Sequence, residues 1–434
     1  MIGLPEKFIG RMKNQLPEEE WGAFFGVYGK APYKGIRVNP LKISAADFAK
    51  ISPFALRRVP WEENGFYTET EKPGGHPYHF AGLYYSQEPS AMCAAPLLGA
   101  APGERVLDLC AAPGGKGTQL AAAMGGEGIL VLNEPVFARA QILSQNVERL
   151  GVKNAAVLNE SPARLAAFFG EYFDKILVDA PCSGEGMFRK NAEEALGEWS
   201  EENVAKCAVR QKEILDEAAK MLRPGGRLVY STCTFSEEED EEQAADFLRA
   251  HSDFRLSGQK KLYPHKTEGE GHFAAVFERL PAADCAAGTV RELKPRISRS
   301  GETLYRAFER EFLNVSLTRL HEAGGMLYAL PEGMFDWKDL HVLRAGIRLG
   351  ELKNGRFEPS HSLAMCLKKE EFVSAEDFAP DDGRTEKFLH GETVEADGRE
   401  SGWCGVCVGG FPVGWGKAVG GIVKNHIPKG LRKF

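Results

Sequence analysis

The chain has 434 residues, 43% hydrophobic and 26% charged, with a formal net charge of −7. That length calls for two or three domains of ordinary soluble composition, and no apolar run reaches the roughly 20 residues of a membrane span. The acidic balance excludes a general polyanion binder, so any nucleic-acid contact has to come from local basic patches.

Residues 1–85 read as a small α+β module. It holds "IRVNPLK" at 36–42 and "GGHPYHFAGLYY" at 74–85, where Tyr78, His79 and Phe80 either stack on bases or pack against the core. The charged start "MIGLPEKFIGRMKNQLPEEEW" does not read as a signal peptide. Nine cysteines, an odd number in a long chain, read as reduced thiols of a cytoplasmic protein rather than a disulfide framework. Strands follow at "RVLDL" (105–109), "GILVLNE" (128–134), "NAAVLN" (154–159), "KILVDA" (175–180) and "RLVYS" (227–231), with helices between them. Pro135 and Gly151 punctuate one helix. Ser200 caps a longer one, with Val204, Ala208, Gln211, Leu215, Ala218 and Leu222 on one face and "RPGG" (223–226) as its break.

This alternation predicts an α/β domain with a parallel sheet covered on both faces, its ligands lying beyond the carboxyl ends of the strands. The acidic run 237–242 after Ser236 reads as the solvated start of a helix. "PAADCAAGTV" (281–290), which holds Cys285, reads as a linker. Beyond it, "MLYAL", "HVLRAGIRLG" and "WCGVCVGGFPVGWG" predict a small β-rich domain over 290–434. Two stretches, "RELKPRISRS" (291–300) and "KNHIPKGLRKF" (424–434), are basic enough to follow phosphates. Cys404 and Cys407 form a lone C-x-x-C with only Cys366 and His390 in reach, so no metal site is expected there.

The chemistry concentrates in three stretches. In "LDLCAAPGGKGTQLA" (107–121), Gly114 and Gly115 allow a ligand close to the backbone at a helix start, although the turn lacks G-x-G-x-x-G. Glu134 ends the next strand about 20 residues further on, where an acid accepts from ribose hydroxyls. "DAPCSGEGMFRK" (179–190) and "STCTF" (231–235) each set a cysteine just past a strand end.

In this order the three stretches resemble the RNA cytosine-5 methyltransferases of the RsmB/RsmF and Nop2/Sun group, over about residues 35–280. The ending "KNHIPKGLRKF" resembles the RsmF-like branch. The resemblance implies a Rossmann-like class I methyltransferase domain over 86–283, an N-terminal RNA-binding module over 1–85 and a C-terminal PUA-like RNA-binding domain over 290–434. It implies S-adenosylmethionine as cofactor, held by Cys110, Ala111, Ala112, Pro113, Gly114, Gly115, Lys116, Glu134 and Asp179. Where the family has an aspartate for the adenine this sequence has Ser161, so Ser161 or Glu160 takes that place.

Cytosine C5 is too electron-poor to be methylated directly, and a thiolate adding to C6 makes C5 nucleophilic. By resemblance Cys233 attacks, Cys182 assists release, and Asp179 binds near N3 as general acid. Arg189 and Lys190 are candidates for lowering the Cys233 pKa. The expected substrate is an unstacked cytidine of 16S, small-subunit ribosomal RNA, naked or in an assembling particle, and the expected enzyme is a monomer. A tRNA cytosine-5 methyltransferase and a non-catalytic RNA-binding assembly factor are the competing readings. The triplet "ENV" at 202–204, a base-contacting motif in DNA cytosine methyltransferases, falls in a helical first turn and reads as coincidence.

Overall fold

The structure is a computed structural model that describes residues 3–282, 290–397 and 401–433. Its centre is an eight-stranded sheet. The apolar runs of the sequence form β1 (Arg105–Asp108), β2 (Ile129–Asn133), β3 (Ala155–Leu158), β4 (Phe173–Asp179) and β5 (Leu222–Thr232), all mutually parallel. Helices α1 (Gly115–Ala123), α2 (Phe137–Arg149), α3 (Pro162–Phe169) and α4 (Glu201–Met221) connect them. Ser200 caps α4 as expected, its hydroxyl accepting from the Asn203 amide. The helix ends at Met221 and β5 starts at once, so Leu222 and "RPGG" lie within the strand.

The sheet is mixed, not wholly parallel as the alternation predicted. After α5 (Glu241–Ala250), the antiparallel strands β6 (Phe254–Leu262) and β7 (His272–Arg279) close one side, with β7 beside β5. The other side carries β8 (Val342–Ala345), antiparallel to β3. The spatial order is β6-β7-β5-β4-β1-β2-β3-β8. Two apolar layers flank it, one built on Leu107, Val178 and Phe273, the other on Val106, Leu132 and Val229.

Ahead of the sheet, two short helices (Glu6–Gln15 and Glu18–Gly26) precede a four-stranded antiparallel sheet built around Gly35–Val38. Arg37 of "IRVNPLK" is buried there and reaches α1, donating to the Gly115 carbonyl and, at 2.7 Å, to Thr118 Oγ1. The first module therefore braces the helix that follows the glycine loop.

The run "HVLRAGIRLG" reads as one strand but folds as two. Gly346, at φ 57°, breaks it; a Cβ there would stand 2.4 Å from the Ala329 carbonyl. The first half is β8 of the central sheet, and the second half, Ile347–Lys353, joins a separate four-stranded sheet with Met326–Ala329 and Arg356–Pro359. Phe335 also packs into the central core, 5.0 Å from Phe169. A last sheet of five strands is built on Ser401–Val408 and Phe411–Val419. Residues 283–289 of the expected linker, with Cys285, lie outside the described residues. Among the described residues, no helix is long and apolar enough to cross a membrane.

Candidate active site

The parallel register of β4 and β5 pairs Asp179 with Ser231, so the two cysteine-bearing stretches leave the sheet side by side. Cys182 Sγ lies 3.1 Å from Cys233 Sγ and accepts from the Cys233 amide at 3.3 Å. The two loops are tied together beneath the thiols. Gly186 N donates to the Cys233 carbonyl (2.9 Å), and the Ser183 and Thr234 hydroxyls are 2.8 Å apart. Glu185 accepts from the Phe235 amide at 3.0 Å and from the Trp199 indole at 2.9 Å. The hydrogen bond to Cys233, with burial second, holds the Cys182 thiol well above its ordinary pKa. The two sulfurs are thus within hydrogen-bonding reach of each other, and the Cys182 thiol holds its proton more firmly than a free cysteine.

The acidic run after Ser236, expected as a solvated helix end, is exposed at Glu237 and Glu242, but its middle is buried beside this site. Glu239 and Asp240 are both 0% exposed. Glu239 Oε2 accepts from the Ser183 amide (3.0 Å) and from Gln211 Nε2 (2.8 Å), and Gln211 also donates to the Pro181 carbonyl (3.0 Å). The residues before and after Cys182 are therefore both fixed by one buried acid and one amide. Burial pushes the Glu239 carboxyl up to about 7, against the pull of the groups that donate to it. Asp240 accepts from the Thr232 hydroxyl at 2.6 Å and pairs with Lys261.

Asp179 has its own cation. Lys116 Nζ lies 2.7 Å from Asp179 Oδ2, and Ser231 Oγ donates to Oδ1 at 2.8 Å. Burial alone would raise the Asp179 pKa, but Lys116 and nearby groups hold it below the ordinary carboxylate value. Lys116 in turn keeps its proton more firmly than a free lysine, because Asp179 outweighs the cost of burial. The expected general acid is thus an anion, and the proton of the pair sits on Lys116. Cys233 also lies within the electrostatic reach of Lys116.

Arg189 does not serve Cys233. It is buried and spent on Glu270, with bonds of 2.7 and 2.8 Å from its Nε and Nη2. Lys190 is exposed. Sequence reasoning gave Lys116 only to the cofactor, because the step from the α1 start to the end of β4 crosses the sheet and leaves no local spacing to read.

A cavity of about 850 Å³ opens at this edge, and Cys110, Ala112, Glu134, Ser161, Asp179, Cys182 and Cys233 all line it. Of the other predicted cofactor residues, Ala111, Pro113 and Gly114 form the turn and Gly115 and Lys116 open α1; these five are not among the residues lining the cavity. Gly114 sits at φ 113°, and a Cβ there would meet Leu143 at 3.2 Å. Arg139 donates to the Ala112 carbonyl (3.0 Å) and Asn146 to that of Pro113 (2.9 Å), fixing the turn.

Glu134 is 2% exposed, accepts from the Val136 amide and has Arg139 at 3.3 Å. Ser161 caps α3 with its hydroxyl, whereas the Glu160 carboxylate is taken by the His341 amide at 2.7 Å. Asp108, which sequence reasoning passed over, lies beneath the turn, fully buried, with no hydrogen-bond partner at either carboxylate oxygen among the described residues; burial pushes its carboxyl up to about 8. An orphaned acid under a glycine turn, a cradle without room for side chains and a buried ribose-type acid fit S-adenosylmethionine.

The lesser motifs settle into ordinary places. Glu202 of "ENV" is exposed and pairs with Lys206 one turn on. Tyr78 is buried and packs on Phe411, so it joins two parts of the fold and offers no stacking face. Cys404 and Cys407 are buried in a strand, and among the described residues no group of His, Cys, Asp and Glu has the arrangement of a metal site. In the final basic stretch Lys433 is paired with Glu386 at 2.7 Å, and Phe434 lies outside the described residues.

Family models divide the chain in the same sequence of parts. One described as 16S rRNA methyltransferase RsmB/F matches residues 95–284, and one for the N-terminal domain of 16S rRNA methyltransferase RsmF matches 4–89. The RsmF rRNA methyltransferase first C-terminal domain matches 307–367, and the methyltransferase RsmF PUA domain matches 375–433. The ribosomal RNA small subunit methyltransferase F of Vibrio vulnificus is 33% identical, over 99% of this chain and 98% of its own. That of an Enterobacter species is 34% identical, over 99% and 96%.

Among solved structures, a methyltransferase homologue from Pyrococcus horikoshii superposes with a TM-score of 0.58 at 31% identity, covering 64% of this chain and 96% of that one. The NSun6 of the same organism, solved with the S-adenosylmethionine analogue SFG, shares the fold at 21% identity, with a TM-score of 0.56 and coverage of 65% and 100%.

Proposed function

The chain belongs to the RsmF branch of the RsmB/F family of ribosomal RNA methyltransferases, and from that membership we propose a role for each group in the cavity. The enzyme is an S-adenosylmethionine-dependent RNA (cytosine-C5) methyltransferase. Its proposed target is a cytidine of 16S, small-subunit ribosomal RNA, the substrate named for its relatives. The base has to leave its stack to bring C6 to a thiol at the bottom of a cleft.

When bound, S-adenosylmethionine supplies an electrophilic methyl group; Cys110, Ala112, Glu134 and Ser161 hold it, with Glu134 taking the ribose hydroxyls. Cys233 adds to C6 of the cytosine, and the C5=C6 π pair becomes nucleophilic at C5. Asp179, kept as an anion by Lys116, accepts from the N4 amino group of cytosine. The Lys116 ammonium supplies the hydrogen bond, and the proton, that the ring needs at N3 as charge accumulates there.

Once C5 carries the methyl group, the N3 proton returns to Lys116, the C5 proton leaves to solvent water in the open cavity, and the C6–S bond breaks with its pair returning to Cys233. The Cys182 thiol, 3.1 Å away, stabilises that departing sulfur by hydrogen bonding. The first 85 residues and those from 290 to 434 serve as RNA-binding elements around the catalytic domain. The reading takes the protein as a cytoplasmic monomer, which gel filtration checks.

One observation carries this reading: both thiols, Asp179 and Glu134 line the same cavity. Purified enzyme is expected to methylate 16S ribosomal RNA or small-subunit particles, and not tRNA, with bisulfite mapping locating the base. Cys233→Ala abolishes transfer. Cys182→Ala accumulates a denaturant-resistant RNA–protein adduct. Transfer retained without Cys233, or no adduct without Cys182, overturns the assignment of the two thiols.

A further inference from the structure

A second pocket, of about 420 Å³, lies at the opposite edge of the central sheet, where Gly125 and Gly126 precede β2 and Gly151 and Lys153 precede β3. Lys42, Lys153 and Lys368 line it, brought together from three distant parts of the chain. No carboxylate stands within ion-pair distance of these three among the described residues, whereas Lys369, also in the lining, is neutralised by Asp377 at 2.7 Å. Lys42 is the one of the three that is partly buried; Lys153 and Lys368 are exposed. Its ammonium has three protons, and its hydrogen bond goes to the Met365 carbonyl. Gly151 packs against it so closely that a Cβ would stand 3.0 Å from Lys42 Cε and 2.5 Å from that same carbonyl. Burial, with Lys153 adding repulsion, pulls the Lys42 ammonium down to about 8. One carboxylate, Glu370, faces the three cations.

We propose that this pocket binds a backbone phosphate of the RNA substrate, held by Lys42, Lys153 and Lys368. A phosphodiester accepts the free Lys42 protons, relieves the repulsion between Lys42 and Lys153, and fits a pocket floored by glycine backbone. In a chain of net charge −7, such a point concentrates the attraction the whole molecule lacks. The strands between the two edges are four to five residues long, about 15 Å. An RNA that engages the cysteines and this pocket together has to span both edges of the sheet. The proposal rests on RNA being the substrate.

The test is the double variant Lys153→Glu with Lys368→Glu, both at exposed positions. Fluorescence anisotropy on a 16S RNA fragment, titrated over salt, reads binding; methyl transfer to the same RNA at saturation reads chemistry. The slope of log K against log salt falls by roughly 0.7–0.9 per lost phosphate contact, KM rises and kcat is unchanged. Arginine at both positions restores the slope.

Parent-like slope and affinity in the glutamate variant overturn the proposal while leaving the substrate reading intact; a parent enzyme that methylates no RNA overturns the substrate reading instead. If inorganic phosphate raises the Tm of the parent but not of the variant while RNA affinity stays equal, the pocket takes free phosphate. If only methylation of assembled particles falls, with RNA binding intact, it takes a protein. Either result overturns the assignment to RNA.

Discussion

Lys116 is buried and Lys42 half-buried at opposite edges of one sheet, and the groups around their ammonium ions differ. Lys116 has a carboxylate at 2.7 Å and holds its proton more tightly than in water. Lys42 has a backbone carbonyl and a neighbouring lysine, and holds its proton less tightly, at about 8. Burial costs both of them; what decides the sign is whether the fold itself provides the counter-charge. At the carboxyl edge the protein supplies Asp179, so the charge is available to a reacting base. At the other edge Glu370 stands against Lys42, Lys153 and Lys368 in the pocket lining, so the cations outnumber it, which fits a place filled by an anion from outside.

Removing each lysine in turn should break this symmetry most sharply. Lys116→Met is expected to lower kcat by about 10²–10⁴-fold, with RNA affinity little changed. Lys42→Met should leave kcat alone and weaken RNA binding in low salt. If Lys42→Met were the variant that lost chemistry, the assignment of the two edges would be wrong.

The next test is thermal stability against pH, each variant compared with the parent. Between about 8 and the ordinary lysine value of 10.5, the unfolded chain keeps the Lys42 proton that the folded chain has lost, so the Lys42 contribution rises with pH. Lys116 runs the other way: its contribution is complete below 10.5 and declines as pH climbs toward its raised folded value. Two melting curves with the same slope would refute the difference.

A smaller effect belongs to Glu239. As its carboxyl is raised from 4.5 to about 7, the parent should lose stability across that interval relative to Glu239→Gln, whose curve stays flatter. The same change disturbs the hold on Pro181 and Ser183, and kcat should fall by less than about tenfold, with slower adduct release and KM unchanged.

Sequence reasoning reached the strands, the glycine turn, Glu134 and the cysteine pair because each is written in local spacing: an apolar run, a breaker, a polar residue at the strand end. It missed what distance in the chain conceals. The Lys116–Asp179 pair joins residues 116 and 179 across β1 and β4. A string of acids after a serine looks like a helix end in water, and only the docking of α4 and β5 shows that Glu239 and Asp240 are dry. The strand "FRLSGQKKL" is largely polar because it forms an edge of the sheet, so the antiparallel side was invisible to an apolar search.

The turn at Gly346 makes one stretch of chain belong to two sheets at once. Anyone seeking a minimal catalytic fragment by stopping near residue 290 would strip the outer strand from β3 and empty the socket that Phe335 fills beside Phe169. The raw edge left behind is an invitation to aggregate. For engineering, the appendage is a rivet through the scaffold, and a grafted RNA-binding tail would have to begin after residue 345 or bring its own strand.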